Sequence, residues 1–247
     1  MTRAIGSYGK CAVYDHFFGG PTNLTAMGAV GYPLALTGSG VNYVCANEGT
    51  FVNTLDEPGG VLAISTDTGD VDNFFMEVGM LKPVDGGIWM ECRFKQDNVL
   101  LGQIFAGFSE VLDPTTPVMP ASYIAAAYAL AGVGGVVGFL YDPDATTDRW
   151  LAIAGDAGIE ETIGECGGQT MVNDEYDVVR VEIDQVGTGR CWLAYKDGSL
   201  RLIKTFETVV TPTDNFYACL GIQNSTAAAR NMEVDYFNAG SFVDWER

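Results

Sequence analysis

The 247-residue sequence predicts an all-β fold, a two-sheet antiparallel jelly-roll sandwich. Three observations predict it. Wherever the hydrophobic pattern is clear its period is two, as in a strand with one face buried. Patterned segments of roughly five to eight residues are separated by Gly, Asp, Pro and Thr, the residues of turns. A 3.6-residue apolar stripe sustained over three turns is missing, with Ala121 to Ala131 as the one helix candidate.

Taken in order, residues 1–35, with "GGPTNLT" and "GYP", read as an arm or a loosely organised edge. Residues 36–247 read as one sandwich domain, because no linker, repeat or low-complexity run divides them. In "IWMECRFK", Ile88, Met90, Cys92 and Phe94 point one way and Trp89, Glu91, Arg93 and Lys95 the other. "DVVRVEID" repeats the device, with Val179, Val181 and Ile183 inward and Arg180, Glu182 and Asp184 outward. "RCWLAYKDG" follows through the turn-forming "QVGTG", which makes a hairpin. Further strands are expected at Gly102 to Phe108, Val136 to Tyr141, Arg149 to Ala154, Ser199 to Phe206, Phe216 to Ile222 and Asn231 to Phe237. Ile124 to Tyr141 is uncharged and long enough to cross a bilayer, but its Ala and Gly residues supply little transfer free energy. Gly132, Gly134, Gly135 and Gly138 would each weaken a helix by up to ~1 kcal/mol, so buried strand around a "GVGG" turn is expected there.

Composition narrows the partners. With 32 Asp and Glu against 13 Lys and Arg, the formal net charge is -19, which repels phosphate backbones and anionic membranes. Neither nucleic acid nor membrane is an expected partner. The start, "MTRAIGSYGKCAVYDHFF", lacks the apolar core of roughly 7 to 15 residues that a secretory signal needs, so synthesis in a cytoplasm is expected. The six cysteines, at 11, 45, 92, 166, 191 and 219, include no C-x-x-C pair and read as free thiols.

The succession "GGIWMECRFK", "GQIFAGFSE", "GVVGFLYDPD", "DRWLAIAG", "YDVVRVEID", "RCWLAYKDG" and "LGIQNSTAAARNMEVDYFNAG" resembles the concanavalin A-like (laminin G-type) jelly rolls found in virion proteins of tailed phages, over roughly residues 60 to 240. The resemblance implies two curved antiparallel sheets stacked face to face, and a place in a phage virion.

That fold also hosts glycosidases. A retaining enzyme needs two carboxyl groups about 5 Å apart, and the laminarinase-like enzymes carry Glu-x-Asp-x-Glu on one strand. Here Glu233 and Asp235 are followed by Phe237, and Glu182 and Asp184 by Val186, so both candidates lack the third carboxylate. They read as solvated strand faces, Glu233 and Asp235 lying opposite Met232, Val234 and Tyr236. His16, the single histidine, sits among aromatics and reads as a packing residue. The glycines of "GVGGVVG" lack the Lys-Ser/Thr of a P-loop.

Two weaker constellations stay open. "DTGDVDN" offers Asp67, Asp70, Asp72 and Asn73, and "DPDATTD" offers Asp142, Asp144 and Asp148; clustered oxygen ligands suit a structural Ca²⁺, while Asp is also a common turn residue. No other cofactor is expected. Trp89, Trp150 and Trp192 occupy strand positions that alternation could turn outward, as stacking platforms for a glycan, as a subunit contact, or as core. The expectation is a non-enzymatic virion structural protein, a capsid decoration or cement protein, homo-oligomeric and contacting other virion proteins. A glycan-binding fibre module is the alternative, and a glycoside hydrolase of the same fold comes third.

Overall fold

The computed structural model describes residues 10–15, 42–45, 49–54, 60–111, 117–124, 127–130, 134–145, 148–156, 159–166 and 169–242. Within them lie β1 (Lys10–Asp15), β2 (Asn42–Cys45), β3 (Thr50–Thr54), β4 (Val61–Ser65), β5 (Asn73–Leu81) and β6 (Ile88–Gln96). There follow β7 (Gly102–Ser109), β8 (Ala121–Ile124), β9 (Ala127–Leu130), β10 (Val136–Tyr141), β11 (Leu151–Asp156) and β12 (Ile159–Glu165). The chain closes with β13 (Asp177–Ile183), β14 (Gly189–Ala194), β15 (Leu200–Phe206), β16 (Phe216–Asn224) and β17 (Asn231–Phe242). One 3-10 turn, Pro83–Asp85, is the only helical element among the described residues.

Two antiparallel sheets take up all but two of these strands. The first runs β15-β14-β13-β6-β17-β4-β3, with β1 joining β17; the second runs β12-β11-β10-β7-β16-β5-β2. β17 is long enough to take two partners on one side, β4 along Asn231 to Val234 and β1 along Phe237 to Phe242. Of residues 1–35, Lys10–Asp15 is therefore an edge strand of the sandwich, and the rest of that segment, His16 included, lies outside the described residues.

The sandwich forms because the central strands of the first sheet each carry one apolar row. Ile88, Met90, Cys92 and Phe94 on β6 and Val179, Val181 and Ile183 on β13 face Phe74, Met76, Ile104, Phe108, Val137 and Phe139 from the second sheet, all buried in one continuous core. Burying each such side chain is worth roughly 1.5–3 kcal/mol.

The second sheet is covered on both faces. Every residue of β7 and β10 is buried, and the outward row, Phe75, Phe105, Val136, Leu140, Leu151 and Ile153, packs beneath Met119, Ala121, Tyr128 and Leu130. Ala121 to Ala131, the helix candidate, is instead the antiparallel hairpin β8–β9. Two amides pin the segment to the sheet: Asn73 Nδ2 donates to the Pro117 carbonyl at 2.7 Å and Gln103 Nε2 to the Ala121 carbonyl at 3.0 Å. Tertiary cover thus overrides the helix propensity of its alanines. Cys92, Cys166, Cys191 and Cys219 are buried thiols outside any disulfide, while the side chains of Cys11 and Cys45 lie outside the described ones.

Candidate functional site

Opposite the covered second sheet, the outer face of the first carries a polar array among the described residues. Strict alternation on β6, β13 and β14 turns Trp89, Glu91, Arg93, Lys95, Val178, Arg180, Glu182, Arg190 and Trp192 outward. Antiparallel register then sets them in rows. Gly240, Trp89, Glu182 and Arg190 form one row, and Asn238, Glu91, Arg180 and Trp192 the next.

Each outward charge has a partner. Lys95 pairs with Glu233 at 2.8 Å, and Arg93 pairs with Asp235. Arg180 donates to Glu182 from Nε at 2.8 Å and from Nη2 at 2.6 Å, and to Glu91 at 3.2 Å. Its partial burial alone would lower the guanidinium pKa, but Glu182 first and then Glu91 outweigh that and raise it. Rings lie among the ions: the Arg93 guanidinium is 4.0 Å from the Tyr176 centroid and that of Arg180 is 5.5 Å from Trp89.

One concavity interrupts this face. A pocket of about 110 Å³ is lined by Gly86, Gly87, Ile88, Trp89, Glu182, Ile183, Asp184 and Arg190. Among the lining residues Gly87 has φ +89°, and a side chain there would crowd the Ile183 carbonyl. The far wall of the pocket is held by Asp184, which accepts from the amides of Val186 at 3.1 Å and Thr188 at 2.9 Å and from Arg190 at 3.0 Å. The lining thus brings together one tryptophan, two carboxylates and a guanidinium, the last three tied by hydrogen bonds and ion pairs.

Several sequence expectations change here. Trp89 and Trp192 are half-buried on the outer face, but Trp150 is fully buried, edge-on to Phe94, Phe139 and Tyr141 with centroids 6.0, 6.1 and 5.6 Å away. Alternation cannot decide such a case when a strand is apolar on both faces. Glu233 and Asp235 are on the outer face as read, but Tyr236 joins them. A register shift between Val234 and Tyr236 reverses the alternation, so Tyr236 donates to Glu91 at 3.0 Å and Phe237 enters the core.

The metal candidates do not assemble. Among the described residues no three His, Cys, Asp or Glu side chains are placed to hold an ion. Asp142 is instead a buried turn residue that accepts from the Asp144 amide at 3.0 Å and from Gln103 Nε2 at 2.9 Å, while Asp144 and Asp148 are exposed. In the other loop, Asp72 accepts from the Gly69 amide at 2.7 Å. Gly86, Gly87 and Arg190 are pocket residues that patterning did not single out. Gly86 and Gly87 directly precede β6 in the chain, while the β6–β13–β14 register brings Arg190 to the row of Trp89.

This architecture is similar to solved structures. A protein of unknown function from Shewanella oneidensis MR-1 aligns over 100% of this chain and 92% of its own, at 14% identity and a TM-score of 0.59. The carbohydrate esterase vb_24B_21 from Shiga toxin-encoding bacteriophage phi24B aligns over 90% and 99%, at 15% identity and 0.50. The Lotus tetragonolobus seed lectin aligns over 79% and 92%, at 10% identity and 0.50. No family model and no curated protein sequence matches the chain. The fold is a concanavalin A-like sandwich. At these identities the likeness speaks to fold alone.

Proposed function

We propose that this chain is a non-enzymatic glycan-binding module that takes a sugar ring at the Trp89 pocket. The observation that carries the reading is the concavity lined by Trp89, Glu182, Asp184 and Arg190 together with two glycines. An aromatic ring receives the apolar face of a sugar, and fixed ionised groups accept from or donate to its hydroxyls. Each pocket carboxylate is paired with an arginine, Glu182 with Arg180 and Asp184 with Arg190, which places acceptor oxygens in the lining for the hydroxyls of a sugar. A lectin and a carbohydrate esterase among the similar folds agree with a carbohydrate ligand.

A glycan array probed with the full chain and with Trp89→Ala tests this. The expected result is a set of glycans retained by the wild-type chain and bound at least about tenfold more weakly by the variant, a difference of about 1.4 kcal/mol. Equal retention by both would reject the site.

A second reading, a decoration or cement protein of a phage capsid, is supported by the resemblance of "NMEVDYFNAG" to phage virion jelly rolls and by the likeness to a phage protein. Attachment of the purified chain to phage shells, with no glycan retained on the array, would put this reading first.

A further inference from the structure

The hydrogen bonds around the Trp89 pocket leave a particular set of atoms for a ligand. Asp184 is taken up by the fold: Oδ1 accepts from the amides of Val186 and Thr188, and Oδ2 accepts from Arg190 Nη2. Glu182 is engaged at one oxygen, since Oε1 receives both Arg180 Nε and Arg180 Nη2. Among the described residues, Glu182 Oε2, Arg190 Nε and Arg190 Nη1 have no hydrogen-bond partner, and none of the three is sealed from solvent. The pocket therefore offers one carboxylate acceptor and one guanidinium edge of donors. Register sets them side by side, Glu182 being paired with Arg190 on one strand and with Trp89 on the other. Volume limits what can enter. A protein cavity of about 150 Å³ holds benzene. The pocket, at about 110 Å³, is about three-quarters of that, room for about four non-hydrogen atoms. It admits a substituent of a sugar, while the ring that bears it stays outside against the indole.

We infer that the pocket selects an N-acetylhexosamine and takes its acetamido group, whose N–H donates to Glu182 Oε2 and whose carbonyl accepts from Arg190. This names the substrate class of the glycan reading above and rests on it. Nitrogen, carbonyl carbon, oxygen and methyl make up the number of atoms that the pocket holds. In a trans amide the N–H and the C=O point opposite ways, so one group spans two neighbouring side chains of which one accepts and the other donates. The methyl is matched by the part of the lining without polar side chains, Gly86, Gly87, Ile88 and Ile183. Other sugar substituents fit less well. A hydroxyl supplies a single oxygen to the same space. A carboxylate has no donor for Glu182 Oε2, and it brings negative charge to a molecule of formal charge -19.

Titrations of the full chain followed by tryptophan fluorescence test it. The probes are the methyl glycosides of N-acetylglucosamine, N-acetylgalactosamine, glucose and galactose, together with glucuronate. At least one N-acetyl sugar is expected to bind at least about tenfold more tightly than its parent hexose and than glucuronate. Arg190→Lys keeps a cation for Asp184 but loses the second edge of donors, so the preference is expected to shrink to about twofold or less, with unchanged near-UV circular dichroism. A parent hexose or glucuronate bound as tightly as the N-acetyl sugars overturns the inference and leaves the glycan reading standing. A folded Arg190→Lys that keeps the full preference overturns it as well. Binding of none of these probes by the wild-type chain also overturns it, and the glycan array then decides whether the broader reading falls too. Should the variant misfold, the wild-type comparison of N-acetyl sugar with parent hexose decides alone.

Discussion

Asp177 shows how a single residue's surroundings become a measurable property. Its carboxyl begins β13 beside Trp150, and burial pushes its pKa up to about 7, against the opposing pull of the Trp150 N–H. The folded state therefore keeps a proton that the unfolded chain releases near pH 4. Stability is expected to fall as pH rises from about 4 to 7 and to level off above. Asp177→Asn removes this dependence, so its thermal melts should be flatter across that range and higher than wild type at pH 8. Parallel pH profiles for the two proteins would disprove the assignment. Gly221 is the steric counterpart. A Cβ there would overlap the ring of fully buried Phe75, which has no room to retreat. Gly221→Ala is expected to cost about 1–3 kcal/mol in denaturant unfolding, through overpacking.

Elements carry what no single residue does. The β8–β9 hairpin covers the second sheet through Met119, Ala121, Tyr128 and Leu130, and Gln103 holds it by one amide hydrogen bond while also binding Asp142. Gln103→Leu leaves the Ala121 carbonyl and an Asp142 oxygen without that donor, at a cost of about 1–3 kcal/mol. Exchange of amides 121–130 should then quicken while those of β6 and β13 do not. Equal rates in variant and wild type would show that the hairpin is held by other means. The inward rows of β6 and β13 were legible in the sequence because one face of that sheet meets water, so alternation is visible. Trp150 and the hairpin were not, because a sheet covered on both faces reads as apolar runs without phase. Tyr236 and Phe237 were exchanged because a bulge has no local sequence signal here. The pocket was half legible: Trp89, Glu182 and Asp184 stand out as strand-face residues, but register across three strands is what joins Trp89 to Glu182 and Arg190.

At the scale of the whole molecule, acidity and architecture divide the surface. One sheet is covered by a hairpin, and the other presents paired ions, rings and a pocket. The formal charge of -19 repels phosphate and anionic lipid, and on the proposed reading neutral sugar hydroxyls are the ligands the pocket takes. The chain's four tryptophans, 89, 150, 192 and 245, supply a direct test, since each gives one indole N–H resonance in a nitrogen–proton correlation spectrum. The measurement is a titration of the full chain with glucose, galactose, mannose and N-acetylglucosamine, followed at those four resonances. A glycan module of the kind described shifts the Trp89 signal in a saturable manner with at least one sugar and leaves fully buried Trp150 in place. A Trp89 signal unmoved by all four sugars would contradict it.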